Sequence, residues 1–110
     1  MAFRLMYSHD YILEKFTQAL YDLATGEGDA RSRIGPAYYR FWHVNEEDFP
    51  EHLRKKRTDI DRLLMRLPGR KGYIIPDNLT KMKNKTAVKI AKLILEIYLD
   101  LIELHSCQNT

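Results

Sequence analysis

The stretch that decides the fold is residues 93–104, which read LILEIYLDLIEL. Only Glu96, Asp100 and Glu103 interrupt its apolar side chains. A helix that is apolar on nearly every side must be buried over most of its surface, either by its own chain or by a second copy. The stretch therefore predicts a long, largely buried helix against which the rest of the chain packs.

The start of this helix is predicted at Pro76-Asp77-Asn78, with Asp77 or Asn78 as the N-cap. No glycine or proline follows, so one helix is expected over residues 79–105. Its polar side chains recur every three or four positions and form one stripe on the helical period. The members of this stripe are Lys81, Lys85, Lys89, Lys92, Glu96, Asp100 and Glu103.

The stripe changes from lysine to carboxylate along the helix, which is the opposite of the order that the helix dipole favours. Two copies packed antiparallel would set the lysine half of one helix against the carboxylate half of the other, so the sequence predicts a homodimer. The expected interface residues are Ile94, Ile97, Tyr98 and Leu101. The alternative is that neighbouring helices of the same chain supply the matching charges.

Three further helices are predicted from capping signals and apolar periodicity, over residues 9–24, 30–44 and 49–67. Ser8 is expected to cap the first of these, and Gly26 to end it. Gly35-Pro36 predicts a kink in the second, because proline removes a helical hydrogen bond and clashes with the preceding turn. The expected fold class is all-α: a single domain over residues 1–110, built as a four-helix bundle-like array with a long, largely buried C-terminal helix.

The aromatic centre of the chain is residues 37–43, which read AYYRFWH. On a helix Tyr38, Phe41 and Trp42 share one face, and this face is predicted to be core because such side chains bury a large apolar area. Tyr39 and Arg40 would then point outward. Aromatic residues beside arginine can also stack on nucleobases, and this alternative stays open.

Cysteine usage and hydropathy bear on the compartment. The only cysteine, Cys107, excludes an internal disulfide and is typical of a reducing environment. The N-terminal residues show no apolar segment with a small-residue cleavage site, and no run of apolar residues approaches the length of a membrane span. We expect a cytoplasmic protein with no membrane partner.

The net charge of +3 conceals an uneven distribution. Residues 54–92 carry thirteen basic and three acidic side chains, whereas the segments on both sides are net acidic. Such a block is where an anionic partner would bind. The expected anion- or nucleic-acid-binding residues are Arg54, Lys55, Lys56, Arg57, Arg70, Lys71, Lys81, Lys85 and Lys89.

No catalytic, metal-binding or cofactor motif is present, because the histidines and the cysteine lack the spacing of metal ligands or of a nucleophile with its base. The sequence therefore predicts no enzyme, no cofactor and no metal. It favours a non-enzymatic interaction or regulatory protein that binds nucleic acid or an acidic protein through residues 54–92. The alternative is a protein–protein adaptor or accessory subunit with no nucleic-acid role.

A third interpretation comes from the segment Arg4 to His9, whose R-x4-H spacing resembles the signature of HEPN-domain ribonucleases. These are all-helical proteins that dimerise to build an RNA-cleaving site without metal. The resemblance implies that Arg4 stabilises the scissile phosphate and that His9 serves as acid or base. It covers only this segment, and the motif of that family lies late in the chain rather than at its start.

Overall fold

The computed structural model describes residues 6–108, and within them the secondary structure is helical, with no strand. The α-helices are α1 (His9–Thr25), α2 (Ala30–Tyr39), α3 (Arg54–Leu64), α4 (Ile74–Lys81) and α5 (Asn84–Gln108). Two short 3₁₀ turns, Glu46–Asp48 and Glu51–Leu53, lie between α2 and α3. The predicted all-α fold class is confirmed.

Helix α5 contacts α1, α2 and α3, so the predicted organisation around the C-terminal helix is also confirmed. Its buried face consists of Ala87, Ile90, Ile94, Ile97 and Leu101. This corrects the predicted dimer interface. Ile94 and Ile97 are fully buried and Leu101 is 2% exposed within a single chain, so these side chains cannot contact a second copy. Only Tyr98 keeps partial exposure.

The centre of the core is aromatic. The ring of Phe16 on α1 stacks on Phe41 at a centroid distance of 4.3 Å, and Phe49 meets Phe16 edge-on at 5.7 Å. All three rings are at most 1% exposed. Offset and edge-on pairs of this kind add to the stabilisation from buried area, so they fix the segment after α2 against α1.

Helix α1 follows the prediction closely, and Ser8 Oγ accepts a hydrogen bond from the Tyr11 backbone N–H at 3.2 Å. Helix α2 begins as predicted but continues through Pro36 as one helix and ends at Tyr39, before the predicted end at residue 44. The chain then leaves the helical path through a series of tight turns.

The predicted helix over residues 49–67 is shorter in the structure, because α3 begins only at Arg54. A capping box between Asn45 and Asp48 organises the preceding 3₁₀ turn, and the Asn45 backbone N–H donates to Asp48 Oδ2 at 3.0 Å. The Asp48 carboxylate therefore closes the turn that precedes it, and no helix begins at residue 49.

The predicted helix over residues 79–105 is two helices, because Met82 is extended between them (φ −64°, ψ 151°). Asn78 does not cap α5: its side chain accepts from the Leu67 N–H at 2.9 Å and donates to the carbonyl oxygens of Leu67 and Ile74. Asp77 likewise bonds the backbone and side chain of Arg70. Both residues hold α4 against the segment after α3, a tertiary role that local sequence does not reveal.

Candidate anion-binding groove

One of the predicted anion-binding residues, Arg57, is committed to the interior. It is 2% exposed and donates to the carbonyl oxygen of Val44 at 3.1 Å and to Asp61 Oδ1 at 2.7 Å. Its guanidinium lies over the rings of Phe41 and Tyr38, 5.2 and 5.7 Å from their centroids. Arg57 therefore fastens the segment after α2 to α3 and cannot reach an external anion, which corrects its place in the predicted site.

The same cluster shifts the titration of a neighbouring phenol. Tyr38 donates its hydroxyl to Asp61 at 3.0 Å. Burial of the hydroxyl, together with the negative charge of Asp61, raises the pKa of Tyr38 to about 12. Tyr38 and Arg57 thus share one carboxylate, and we call these three residues the Arg57 cluster.

The other cations in the first turn of α3 also have partners within the chain. Lys55 pairs with Asp59 at 2.9 Å, and Arg54 donates to the carbonyl oxygen of Phe49 at 3.1 Å. Lys56 pairs with Asp100 at 3.4 Å and lies 3.7 Å from Glu96. Part of the carboxylate half of α5 is therefore matched by the same chain, as the alternative to a dimer supposed.

Arg70 is paired as well, although its side chain is 73% exposed. It contacts Asp77 with two side-chain bonds, Nη2 to Oδ1 at 2.8 Å and Nε to Oδ2 at 3.1 Å, and its backbone N–H donates to Oδ2 at 2.8 Å. These bonds, chiefly those from the Arg70 side chain, lower the pKa of Asp77 to about 2. The guanidinium also lies 4.9 Å from the Tyr73 ring centroid.

Six of the eight remaining cations of the block line the surface between the end of α3, Lys81 at the end of α4, and the start of α5. Two adjoining depressions there, each of about 430 Å³, share Leu63 as a common wall. We call them together the basic groove. The cations that line the groove are Arg62, Arg66, Lys81, Lys83, Lys89 and Lys92.

The basic groove is electrostatically unbalanced. Of its six cations only Arg62 has a carboxylate within 4.0 Å among residues 6–108, namely Asp59 at 3.4 Å. Asp59 and Glu96 lie in the groove near Arg62, but Lys55 and Lys56 already neutralise them in part. Leucine side chains form part of the wall, and low-dielectric walls focus the potential of nearby charges. The groove therefore carries a net positive charge.

The sequence prediction found this site only in part. Lys81 and Lys89 lie in the groove, whereas Lys71 and Lys85 are exposed outside its lining. The prediction omitted four residues that line it, Arg62, Arg66, Lys83 and Lys92. The i, i+4 spacing of Arg62 and Arg66 was a usable signal, since it puts both side chains on one face of the helix predicted over residues 49–67. In the structure Arg66 lies just after the end of α3.

A second surface feature is an aromatic cleft of about 460 Å³ between the end of α2, the end of α3 and the start of α4. Its lining consists of Tyr38, Tyr39, Trp42, Met65, Gly72, Ile74, Ile75 and Pro76. Trp42 is 56% exposed, so its predicted place in the core is wrong. Because α2 ends at Tyr39, the helical period that put Trp42 on the face of Tyr38 no longer applies three residues later.

Other candidate chemistry is sparse in the part of the chain that the structure describes. His9 is exposed at the first residue of α1, and Arg4, its partner in the ribonuclease-like motif, lies outside the described residues. Within residues 6–108 no group of three or more histidine, cysteine, aspartate or glutamate side chains is placed to hold a metal ion.

None of the helices within residues 6–108 has both the length and the apolar character that crossing a bilayer requires.

No protein-family model, curated protein or solved structure matches this chain. The surface of the molecule, and above all the basic groove, is therefore the main guide to function.

Proposed function

We propose that this protein is a non-enzymatic nucleic-acid-binding protein that contacts the phosphate backbone through the basic groove. The observation that carries the proposal is the row of groove cations that have no carboxylate partner among the described residues. Contacts from lysine and arginine to phosphates supply most of the affinity in binding that does not depend on sequence. We expect such binding here, because no helix-turn-helix spacing is present to read base edges.

The spacing of the charges favours a nucleic acid over an acidic protein. Lys89 and Lys92 of the groove lie about 4.5 Å apart along α5, and Lys85, outside the lining, continues the same line about 6 Å before Lys89. A row of like charges at regular intervals suits a polymer that carries one charge per repeat. Protein partners are anchored instead by aromatic side chains in buried pockets, and no aromatic residue lines the basic groove.

The test is fluorescence anisotropy with a labelled single-stranded RNA and a labelled duplex DNA, each titrated with salt. About five phosphate contacts predict that the affinity for the duplex falls roughly 10²–10³-fold between about 50 and 200 mM salt. Absence of binding at about 50 mM, or an affinity that does not change with salt, contradicts the proposal.

A matched pair of variants locates the site. Lys92→Glu should reduce the affinity several-fold and lower the salt slope by about one, because one phosphate contact is lost. Lys15→Glu, which reverses a lysine on α1, should leave both quantities nearly unchanged. Far-ultraviolet circular dichroism checks that all variants stay folded. Equal losses in both variants would mean that binding reflects net charge and not the groove.

The aromatic cleft supports a second candidate, a protein–protein adaptor. Tyr39, Trp42 and Met65 are each more than half exposed at this one place, and tryptophan and tyrosine are the residues that most often anchor protein partners. The test is the set of proteins that the wild type retains and Trp42→Ala loses. Tyr21→Ala is the control, since Tyr21 is 66% exposed on α1. If the two variants retain the same proteins, the cleft is not the binding site.

A further inference from the structure

We infer that a second copy of this chain docks antiparallel on an exposed apolar stripe of α5. The stripe consists of Val88, Leu95, Leu99 and Ile102, which are 36%, 44%, 56% and 38% exposed. Their separations of seven, four and three residues are those of a coiled-coil seam, and the stripe runs for about 21 Å. It lies beside the polar face of α5, away from the face that Ile94 and Ile97 bury in the core.

The charges beside the stripe identify the occupant. A charged residue directly follows Val88, Leu95 and Ile102, and these residues are Lys89, Glu96 and Glu103 in that order. Consecutive residues lie about 100° apart around a helix, so the three charges run along one flank of the stripe. The flank is positive in the N-terminal half of α5 and negative in the C-terminal half.

This order of charges suits a second copy in one orientation only. A parallel pair would place the two charged flanks on opposite sides of the contact, where neither flank meets the opposite charge of the other. An antiparallel pair sets Lys89 of each copy toward the glutamate half of its partner, and the contact is then the same surface on both subunits. Glu103 has no cation within 4.0 Å among residues 6–108, and Glu96 has only the 3.7 Å contact with Lys56. Both carboxylates can therefore accept a lysine from the other copy.

The arrangement has a consequence for the basic groove, which depends on the proposed function. The groove opens on the flank of α5 that carries Lys89 and Lys92. In an antiparallel pair the twofold axis is perpendicular to both helices and lies in the plane of contact, so each flank faces the same flank of the partner. The two basic grooves then open on the same side of the dimer and can bind one nucleic acid together.

The oligomeric state tests the docking without any nucleic acid. Light scattering coupled to size exclusion should show a dimer for the wild type at high micromolar concentration. It should show a monomer for Leu99→Glu and for the neutral double variant Leu95→Ala with Leu99→Ala. Tyr21→Glu, a charge placed at an exposed site on α1, should leave the dimer intact.

A monomeric wild type, or a dimer that persists in both stripe variants, overturns the inference. A dimer that only Trp42→Ala disrupts would place the interface in the aromatic cleft, and this also overturns it. Circular dichroism checks the fold of each variant.

A spin label on Cys107 tests the orientation. If the pair is centred between Leu95 and Leu99, Cys107 of one copy lies level with residue 87 of the other. The separation along the helix is then roughly 30 Å, from the rise of 1.5 Å per residue. A parallel pair brings the two labels within about 15 Å, near the interaxial distance of packed helices. Electron–electron resonance measures this separation, and the short value contradicts the antiparallel arrangement.

Nucleic-acid binding by the neutral double variant separates the two proposals. A monomeric variant with at least tenfold weaker binding and a smaller salt slope supports the paired grooves. If the variant is monomeric and binds as well as the wild type, the paired grooves are wrong while the dimer stands. If the wild-type dimer binds no nucleic acid, the proposed function fails and the docking inference is unaffected.

Discussion

Arg57 and Lys89 belong to the same basic block of sequence, yet they occupy opposite situations in the structure. Arg57 is buried, and its hydrogen bonds go to two backbone carbonyls and one carboxylate. Lys89 is exposed and has no such partner among residues 6–108. Arg57 therefore stabilises the fold, whereas the charge of Lys89 remains available to a binding partner.

The comparison shows that a count of charges in the sequence does not reveal which cations are already paired within the chain. Thirteen basic residues lie between positions 54 and 92, but the side chains in the first turn of α3 are all engaged by groups of their own chain. The net positive surface lies instead at the end of α3 and the start of α5. Arg70 is an intermediate case, since its side chain is exposed but paired with Asp77. Four substitutions test this gradation.

The largest effect is expected for Arg57→Ala. The change leaves the Val44 and Trp42 carbonyl oxygens without their donor and Asp61 with only the Tyr38 hydroxyl, which should lower the free energy of unfolding by about 3–5 kcal/mol. Urea denaturation measures this. Lys55→Ala is the control and should change stability by less than about 1 kcal/mol, because it removes only an exposed ion pair. Equal, small losses in the two variants would remove the distinction between buried and exposed cations.

Tyr38→Phe should cost about 1 kcal/mol, because it removes one hydrogen bond from the Arg57 cluster and leaves the bond between Arg57 and Asp61. Since the folded pKa of Tyr38 is raised from 10.0 to about 12, its contribution is complete below pH 10 and is lost as the pH rises from 10 toward 12. Urea titrations in this range should therefore show the difference between wild type and variant shrinking. A constant difference would mean that the hydroxyl does not titrate as the cluster requires.

Asp77→Asn should have a smaller effect, because the partner Arg70 is largely exposed. The folded pKa of Asp77 is lowered from 3.8 to about 2, so its carboxylate stabilises the protein above pH 3.8 and this contribution is lost as the pH falls from 3.8 to 2. The stabilities of wild type and variant should therefore converge as the pH is lowered through this range. We would measure both by urea denaturation, and divergence toward low pH would contradict the assigned pairing.

The smallest effect on stability is expected for Lys89→Ala, within about 0.5 kcal/mol, as for exposed sites without partners. For the monomer, at low protein concentration, its sign should be stabilising at low salt, because the substitution removes repulsion among the groove cations, and the gain should vanish at high salt. Thermal unfolding at low and high salt measures both quantities. A loss as large as that of Arg57→Ala would show that Lys89 has a structural partner.

Most of the fold could be predicted from periodicity and caps. The all-α class, the limits of α1 and the central position of α5 all follow from residues that act on their near neighbours, such as Ser8 on Tyr11. The division of the last helix could not be predicted, because the Asn78 side chain is hydrogen-bonded to the backbone of Leu67, eleven residues away. Local sequence presents Asn78 as a cap, and only the tertiary structure shows that its polar groups are already used.

The candidate surfaces were less predictable, for two physical reasons. Helix α5 is apolar on nearly every side, so its pattern could not show that Ile94 faces the core while Leu99 faces outward. Conversely, Arg57 and Lys89 are both cations in one block, and pairing decides which of them remains exposed. Pairing depends on carbonyl and carboxylate groups brought in from other elements, and these are visible only after folding.

The half-exposed position of Trp42 has a practical consequence, because it is the only tryptophan of the chain. Its indole already contacts solvent in the native state, so its emission should change little when the core melts. It lines the aromatic cleft, however, and any molecule that settles there must displace water from the indole. The protein thus carries a built-in optical reporter for the aromatic cleft, a surface to which the nucleic-acid proposal assigns no ligand.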